Sequence, residues 1–352
     1  MQVRMDWQSL QAFTAEIFTR AGLKPEDAQT EAEVLVWANL RGIDSHGVLR
    51  VPQYLRNIDR GGMNPRAEIR VEKETAATAL VEGDHAFGPV VTKFAMNIAI
   101  SKAAEVGIGW VVIRNTTHQG AMGYYTMMAA DRDMAGLAFV CNPPNMAPYG
   151  AKAAGLHNSP ISIAVPGNKH RPLVLDMATS VAAMGKISLA IDKGTPIPQG
   201  WALDKDGQPT TDPRLAAILL PFGGYKASHL ALMFECLSSL MVCNPLLEPT
   251  LLHQEPVRPG TQNSVVAAIN IGLFTDIETY KQHIDALVEG LKGLPKADGF
   301  DEILVPGEFE DRVCEERLAL GIPLPPGTVD NLREAAARFG IPLPPALHEE
   351  AA

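Results

Sequence analysis

Residues 109–120 read Gly-Trp-Val-Val-Ile-Arg-Asn-Thr-Thr-His-Gln-Gly. A short apolar run, 109–113, gives way to a polar loop, 115–120, and a helical stretch follows. An apolar run of that length, bounded by turn residues, suits a buried strand. A strand, a loop and a helix in succession mark an α/β protein, whose sheets bind ligands at the loops beyond the strand ends.

The pattern extends in both directions. Upstream, 90–104 is predicted helical, and 67–72 and 77–81 alternate as strands. Before that the chain turns helical. Leu10, Phe13, Ile17 and Phe18 recur at helical spacing. A second helix starts at Lys24-Pro25-Glu26, with proline early and acids in the first turn, and ends near Gly42. A third is predicted from about 45 to 59, stopping at Gly61-Gly62. Downstream, 137–141, 162–165, 173–175 and 265–271 suit strands, and 181–191 and 225–243 suit helices. A proline-rich tail repeats Gly-Ile-Pro-Leu-Pro-Pro at 321–326 and 340–345, with a helix at 329–339 between the copies, as a strap returning over the body. The expected architecture is an α/β domain with a mixed sheet over 71–307, including a helical insertion around 181–245. A helical domain would be built from 1–70 with 308–345.

The 352 residues are 46% hydrophobic and 20% charged, a globular composition with room for two cores. A formal net charge of −10 opposes a nucleic-acid or anionic-membrane partner, though a local pocket can still be basic. The four cysteines form no C-x-x-C pair, so they suit structural thiols in a reducing, cytoplasmic setting; Cys236 and Cys243 would share a helix face. The chain contains no G-x-G-x-x-G between strand and helix, no phosphate-loop signature, no H-E-x-x-H and no G-x-S-x-G. A standard dinucleotide fingerprint is therefore absent, and no metal site is expected.

Four segments could carry chemistry. In Arg41-Gly-Ile-Asp-Ser-His-Gly-Val-Leu-Arg50, Asp44 and Ser45 are helix-capping types, and His46 would sit in a first turn whose dipole keeps it neutral. Arg50, four residues on, would share its face and offer a carboxylate clamp, although Pro52 would kink such a helix. The plain alternative is a cap and a surface arginine. His118, between strand and helix, is an acid/base candidate or simply a locally bonded loop histidine. Asp176 ends an apolar strand and could orient a histidine, contact a cofactor or cap the next helix. Pro221-Phe-Gly-Gly-Tyr-Lys226 opens a helix and suits a phosphate site, or is a flexible loop with a solvated lysine. Val305-Pro-Gly-Glu308 is a turn with an acid and says little alone.

Taken in order, these segments resemble the type-2 malate/L-lactate dehydrogenase family, which includes sulfolactate and ureidoglycolate dehydrogenases and cyclic imino-acid reductases. The matching phrases are RGIDSHGVLRVPQYL (41–55), THQGAMGYY (117–125), PYGAKAAGLHNSPISIAVP (148–166), LDMATSVAAMGKI (175–187), GWALDKDGQPTTDP (200–213), PFGGYK (221–226) and VPGE (305–308). The likeness runs from about residue 7 to 340. It implies a non-Rossmann nicotinamide-binding fold and a homodimer. It also implies that His118 and His46 are the acid/base pair and that Arg50, Ser45 and Tyr54 bind substrate. Asn142, Asp176, Met177, Ala178, Lys226, Pro306, Gly307 and Glu308 would contact NAD or NADP. Two departures stand out. Ala227 follows Lys226 where relatives commonly carry glycine, and Met184 stands where they often carry arginine, which favours NAD over NADP.

The expected reaction is hydride transfer between nicotinamide and C2 of a small 2-hydroxy or 2-oxo carboxylic acid. Two rivals are a cyclic imino-acid reductase on the same scaffold and a non-catalytic cofactor-binding protein.

Overall fold

The computed structural model describes residues 3–254 and 257–348. Strand β1 (Val3–Met5) leads into α1 (Trp7–Arg20) and α2 (Pro25–Leu40), two 3₁₀ turns (Asp44–His46 and Val48–Arg50) and α3 (Val51–Asp59). Next come β2 (Arg70–Glu74), β3 (Thr78–Glu82), α4 (Gly88–Val106), β4 (Ile108–Thr116), α5 (Gly123–Ala130) and β5 (Met134–Cys141). They are followed by β6 (Ile161–Val165), β7 (Leu173–Met177), α6 (Met184–Lys193) and the short strands β8 (Ala202–Leu203), β9 (Pro209–Thr210) and β10 (Ile218–Leu219). Helix α7 (Tyr225–Glu235) runs on into a π turn (Cys236–Leu240). Then come α8 (Glu248–Leu251), β11 (Gln262–Asn270), α9 (Ile277–Lys292), α10 (Glu308–Leu320), β12 (Ile322–Leu324) and α11 (Pro326–Phe339).

The chain is mixed α/β, built on a 7-stranded sheet in the order β2-β3-β4-β11-β5-β6-β7. Late in sequence, β11 inserts between β4 and β5, antiparallel to both. Its Val265, Val266, Ala267 and Ala268 are all buried, as a central strand covered on both faces requires. Within this sheet only β3 and β4 pair in parallel, and α4 is the crossover that such a pair needs.

A separate core joins the two ends of the chain. Leu10, Phe18, Leu35 and Tyr54 pack with Ile322, Leu332 and Leu347, and β1 pairs antiparallel with β12. The tail thus lies against the first helices.

Several sequence boundaries are corrected. The helix expected from 45 to 59 is two 3₁₀ turns followed by α3, which starts at Val51. Pro52 thereby falls in the first turn, where its missing N–H leaves no gap. The helix expected through 243 ends as α7 at Glu235. Ser238 bonds back to the Phe234 carbonyl at 2.7 Å in the π turn, and Cys243 is exposed with a positive φ, so Cys236 and Cys243 do not share a helix face. Strand β2 begins later than expected, and β4 extends through Thr116 into the anticipated loop. Helix α9 was not anticipated, and α10 falls in the 308–345 segment expected to be helical, where the sequence sets no bounds for it. Asp276 caps α9 by accepting from Thr279 N, but only Ile284, Asp285 and Val288 of that helix are buried, too few to give a clear period.

Candidate active site

His118 lies just past β4, on a loop held from several sides. Thr117 Oγ1 donates to the Ala86 carbonyl at 2.9 Å. The Tyr54 hydroxyl, from α3, is 2.6 Å from His118 Nδ1, and the Gly120 N–H reaches the same nitrogen at 3.3 Å. Gly88, the first residue of α4, supports the loop from below. A Cβ there would overlap the His118 carbonyl and come within 2.6 Å of Gln119 Cα. Gly88→Ala must therefore push the histidine loop aside. A displacement of about 1 Å is enough to lower turnover roughly 10²-fold. Gly327→Ala, in open space, is the control. Wild-type turnover from Gly88→Ala would mean that the loop position does not matter.

The His46 ring stacks on that of His118, with centroids 5.3 Å apart and planes 22° from parallel. Ser45 Oγ is 3.0 Å from His46 Nδ1. Both imidazoles are held below their ordinary range. Loss of solvent around the ring lowers His46 to about 4, with Arg50 adding to it. The same two causes, and then His46, lower His118. The sequence attributed neutrality of His46 to a helix dipole; crowding and a guanidinium provide it instead.

Arg50 donates from Nε to the Ser45 carbonyl at 2.6 Å and from Nη1 to Gln53 Oε1 at 2.7 Å. Among the described residues it pairs with no acid, so its charge is free for a ligand. The turn carrying these groups is anchored from outside. Asp44 does not cap a helix. It accepts from Arg317 of α10 at 2.6 and 2.9 Å and from Asn39 Nδ2 at 2.6 Å, and Asn39 Oδ1 accepts from Val48 N at 2.9 Å. From the other side α6 begins against this turn: a Cβ at Gly185 would come within 2.7 Å of Ser45 Cβ. Tyr54, expected to touch substrate, is fully buried with its hydroxyl committed to His118. That contact suits it to position the His118 ring.

Asp176, at the edge of β7, accepts from Gly123 N at 2.7 Å, which ties it to the segment after His118. It bonds neither histidine. Its side chain keeps access to solvent, yet the protein atoms packed behind it push its carboxyl up to about 6; the Gly123 N–H opposes that, and Glu310 adds to it. The chain beyond Asp176 then runs beside the glycine-rich turn. Phe222 N donates to Thr179 O at 3.0 Å, Val181 N donates to Leu220 O at 2.8 Å, and Ser180 bridges Pro221. Gly223 and Gly224 follow, both at positive φ, and Lys226 opens α7, exposed and without an ion pair among the described residues. A continuous path of contacts thus links His118, Gly123, Asp176, 177–181 and Lys226. Thr179 Oγ1 is buried on this path without a partner. Asn142 follows β5 directly and donates only to the adjacent Pro143 carbonyl.

The Pro306-Gly307-Glu308 turn is tied into the chain by several bonds. Pro306 O accepts from Val174 N, and Gly307 O from Arg41. Glu308 accepts from Lys292 at 2.5 and 2.7 Å and from Arg312 at 2.6 Å. Against the effect of burial, which raises it, Lys292, the Val305 N–H and Arg312 bring the carboxyl to about 2. Both its oxygens are engaged within the chain. Sequence reading missed Asn39, Gln53, Gly88 and Arg317 as supports. Only the polar Asn39 inside an apolar helix offered a signal.

Comparison with known proteins settles the lineage. Residues 5–333 match the malate/L-lactate dehydrogenase family. The chain belongs to that family. It is 42% identical over 301 residues to the L-sulfolactate dehydrogenase of Methanocaldococcus jannaschii, covering 84% of this chain and 86% of the relative. The malate dehydrogenase of Entamoeba histolytica superposes with a TM-score of 0.91 at 27% identity, over 98% of this chain and 100% of that one. The delta1-piperideine-2-carboxylate reductase of Pseudomonas syringae superposes at 0.84 and 27% identity, over 95% and 99%. As a member of this family, the chain is an oxidoreductase acting on CH–OH groups. No helix among the described residues is long and apolar enough to cross a membrane.

Proposed function

We propose that the protein interconverts a small 2-hydroxy carboxylic acid and its 2-oxo acid, with NAD or NADP as partner. The observation that carries this reading is the pair of stacked imidazoles, both held below their ordinary range, beside a guanidinium that pairs with no acid among the described residues. Arg50 holds the substrate carboxylate. His118 acts from the tautomer whose Nδ1–H donates to the Tyr54 oxygen, which gives up the longer 3.3 Å contact from the Gly120 N–H; it takes the C2 hydroxyl proton on Nε2 and becomes imidazolium. His46, oriented by Ser45, holds the substrate oxygen. When bound, the nicotinamide ring would accept the hydride leaving substrate C2 or, in the reverse direction, donate it to that carbon. Lys226 and the Gly223-Gly224 turn suit its phosphates, the free Thr179 hydroxyl lies on the path between, and Asn142, Asp176, Met177 and Ala178 suit the nicotinamide end. Met184, exposed where α6 opens, brings no cation, so NAD is the favoured form.

The imino-acid reductase remains the second reading, supported by the structural neighbour with that name. Loss of reduced-nicotinamide absorbance with NADH or NADPH, against 2-oxo acids and cyclic imines, separates the two. Consumption with an oxo acid supports the proposal. Consumption only with imines moves the chain to the reductases. The non-catalytic rival requires no turnover with either panel.

A pH profile gives an independent check. A base must be neutral to act, and both imidazoles gain protons only below the ordinary 6.5. In oxidation, the acid limb of kcat/KM is therefore expected below pH 6.5. An acid limb at 7 or above would assign the base elsewhere.

The protein is also inferred to act as a cytoplasmic homodimer. The exposed row Leu232, Met233, Leu237, Leu240 and Met241 offers an apolar face for a second copy. Light scattering at the monomer mass would reject this.

A further inference from the structure

Away from His118, three chemically matched side chains converge in the interior. Cys141 ends β5, His157 precedes β6, and Glu235 ends α7. A ligating atom from each lies within 4.8 Å of the other two, and all three residues are buried. His157 is 0% and Glu235 2% exposed. Yet His157 Nε2 and Glu235 Oε2 face each other at 3.4 Å, within ion-pair range, and neither makes a hydrogen bond of good geometry among the described residues. That gap is too long for a good N–H···O bond.

The groups behind these atoms aim them inward. Glu235 Oε1 accepts from Leu246 N and Leu247 N at 2.8 and 3.1 Å, which leaves Oε2 turned toward the cluster. Ser159 contacts His157 Nδ1 from the far side, which fixes the ring. Ser238 Oγ lies 3.1 Å from Cys141 Sγ. Zinc bonds of about 2.0–2.3 Å at tetrahedral angles put donor atoms roughly 3.3–3.6 Å apart, which matches the histidine–carboxylate gap.

We propose that Cys141, His157 and Glu235 form a binding site for one zinc-class divalent cation, separate from the reaction site. One sulfur, one nitrogen and one oxygen donor suit zinc rather than magnesium or calcium, which take oxygen ligands. The thiol gives up its proton as the metal–sulfur bond forms, and thiolate and carboxylate together balance the two positive charges. A serine hydroxyl or water completes four-coordination. The site ties together the C-terminal end of α7, the end of β5 and the segment before β6. Asn142 is adjacent to one ligand, and Lys226 opens the same helix. The ion is therefore a brace for the proposed cofactor face. Its ligands lie far apart in sequence, so no local motif announces them.

The test uses the full chain, stripped with a chelator and titrated with Co²⁺. The expected result is a thiolate-to-cobalt charge-transfer band saturating at about one equivalent per chain. Cys141→Ser abolishes the band and Cys236→Ser retains it. His157→Gln weakens binding at least about tenfold. X-ray absorption of the zinc-loaded wild type needs no variant to fold, and should find one sulfur at about 2.3 Å with nitrogen and oxygen at about 2.0–2.2 Å. A folded wild type with no such band, a band unchanged in Cys141→Ser, or a shell without sulfur overturns the proposal.

Discussion

His118→Ala lowers the oxidation rate by roughly 10²–10⁴-fold, the usual contribution of a positioned proton acceptor. Cofactor affinity stays near wild type, because the groups suited to the dinucleotide lie from Asn142 to Lys226, on other segments. The effect belongs in kcat. The substrate carboxylate still meets Arg50, but the hydroxyl proton has no acceptor of matched position. His46 does not replace it: its ring is stacked 5.3 Å away and turned toward Ser45. Tyr54→Phe separates positioning from chemistry. It removes the oxygen that receives Nδ1–H of the imidazolium, so His118 becomes a weaker base, and the acid limb of the profile moves to still lower pH. A His118→Ala enzyme within a few-fold of wild type, at saturating substrate, would remove this residue from the mechanism.

Arg50→Gln carries the second large effect. The guanidinium is held through Nε by Ser45 O and through Nη1 by Gln53 Oε1, and no acid among the described residues competes for its charge. Hydrogen bonds to a charged group are worth about 1.5–3 kcal/mol, so kcat/KM should fall roughly 10- to 100-fold, most of it as a higher KM. Arg50→Lys restores the charge but not the planar fork, and should recover only part of the loss. A second readout follows from the same residue. Arg50 helps to hold both imidazoles below their ordinary range. Removing a neighbouring cation lets a base bind its proton more readily, so the acid limb in Arg50→Gln moves up in pH. An unchanged KM together with an unchanged acid limb would place Arg50 outside the substrate pocket.

Much of this was legible in the sequence because its signals are local. The apolar runs of β4, β5, β6 and β7, the spacing of Leu10 through Phe18, and the strand–loop–helix around His118 each depend on neighbours in the chain. Asp44 was misread for the opposite reason. A capping residue type before an apolar stretch suggests a helix start, but its partner is Arg317, brought in by α10 from the other end of the chain. The burial of Tyr54 and its bond to His118 could not be read from the phrase that carries it, because both depend on long-range packing. The pairing of Glu308 with Lys292 and Arg312 was only partly local: Arg312 is four residues on, but Lys292 comes from the preceding helix. The insertion of β11 into the middle of the sheet and the convergence of Cys141, His157 and Glu235 have no local signature, because long-range packing alone creates them.

The central claim is that hydride moves between C2 of a 2-hydroxy acid and the nicotinamide ring. The most direct measurement takes the best acid from the substrate panel, labels it with deuterium at C2, and analyses the reduced cofactor by mass spectrometry and proton NMR. The account predicts that one deuterium arrives at the reduced nicotinamide C4, and that His118→Ala slows this transfer without altering where the label goes. Reduced cofactor lacking deuterium, or no cofactor reduction with any acid while cyclic imines are consumed, would contradict it.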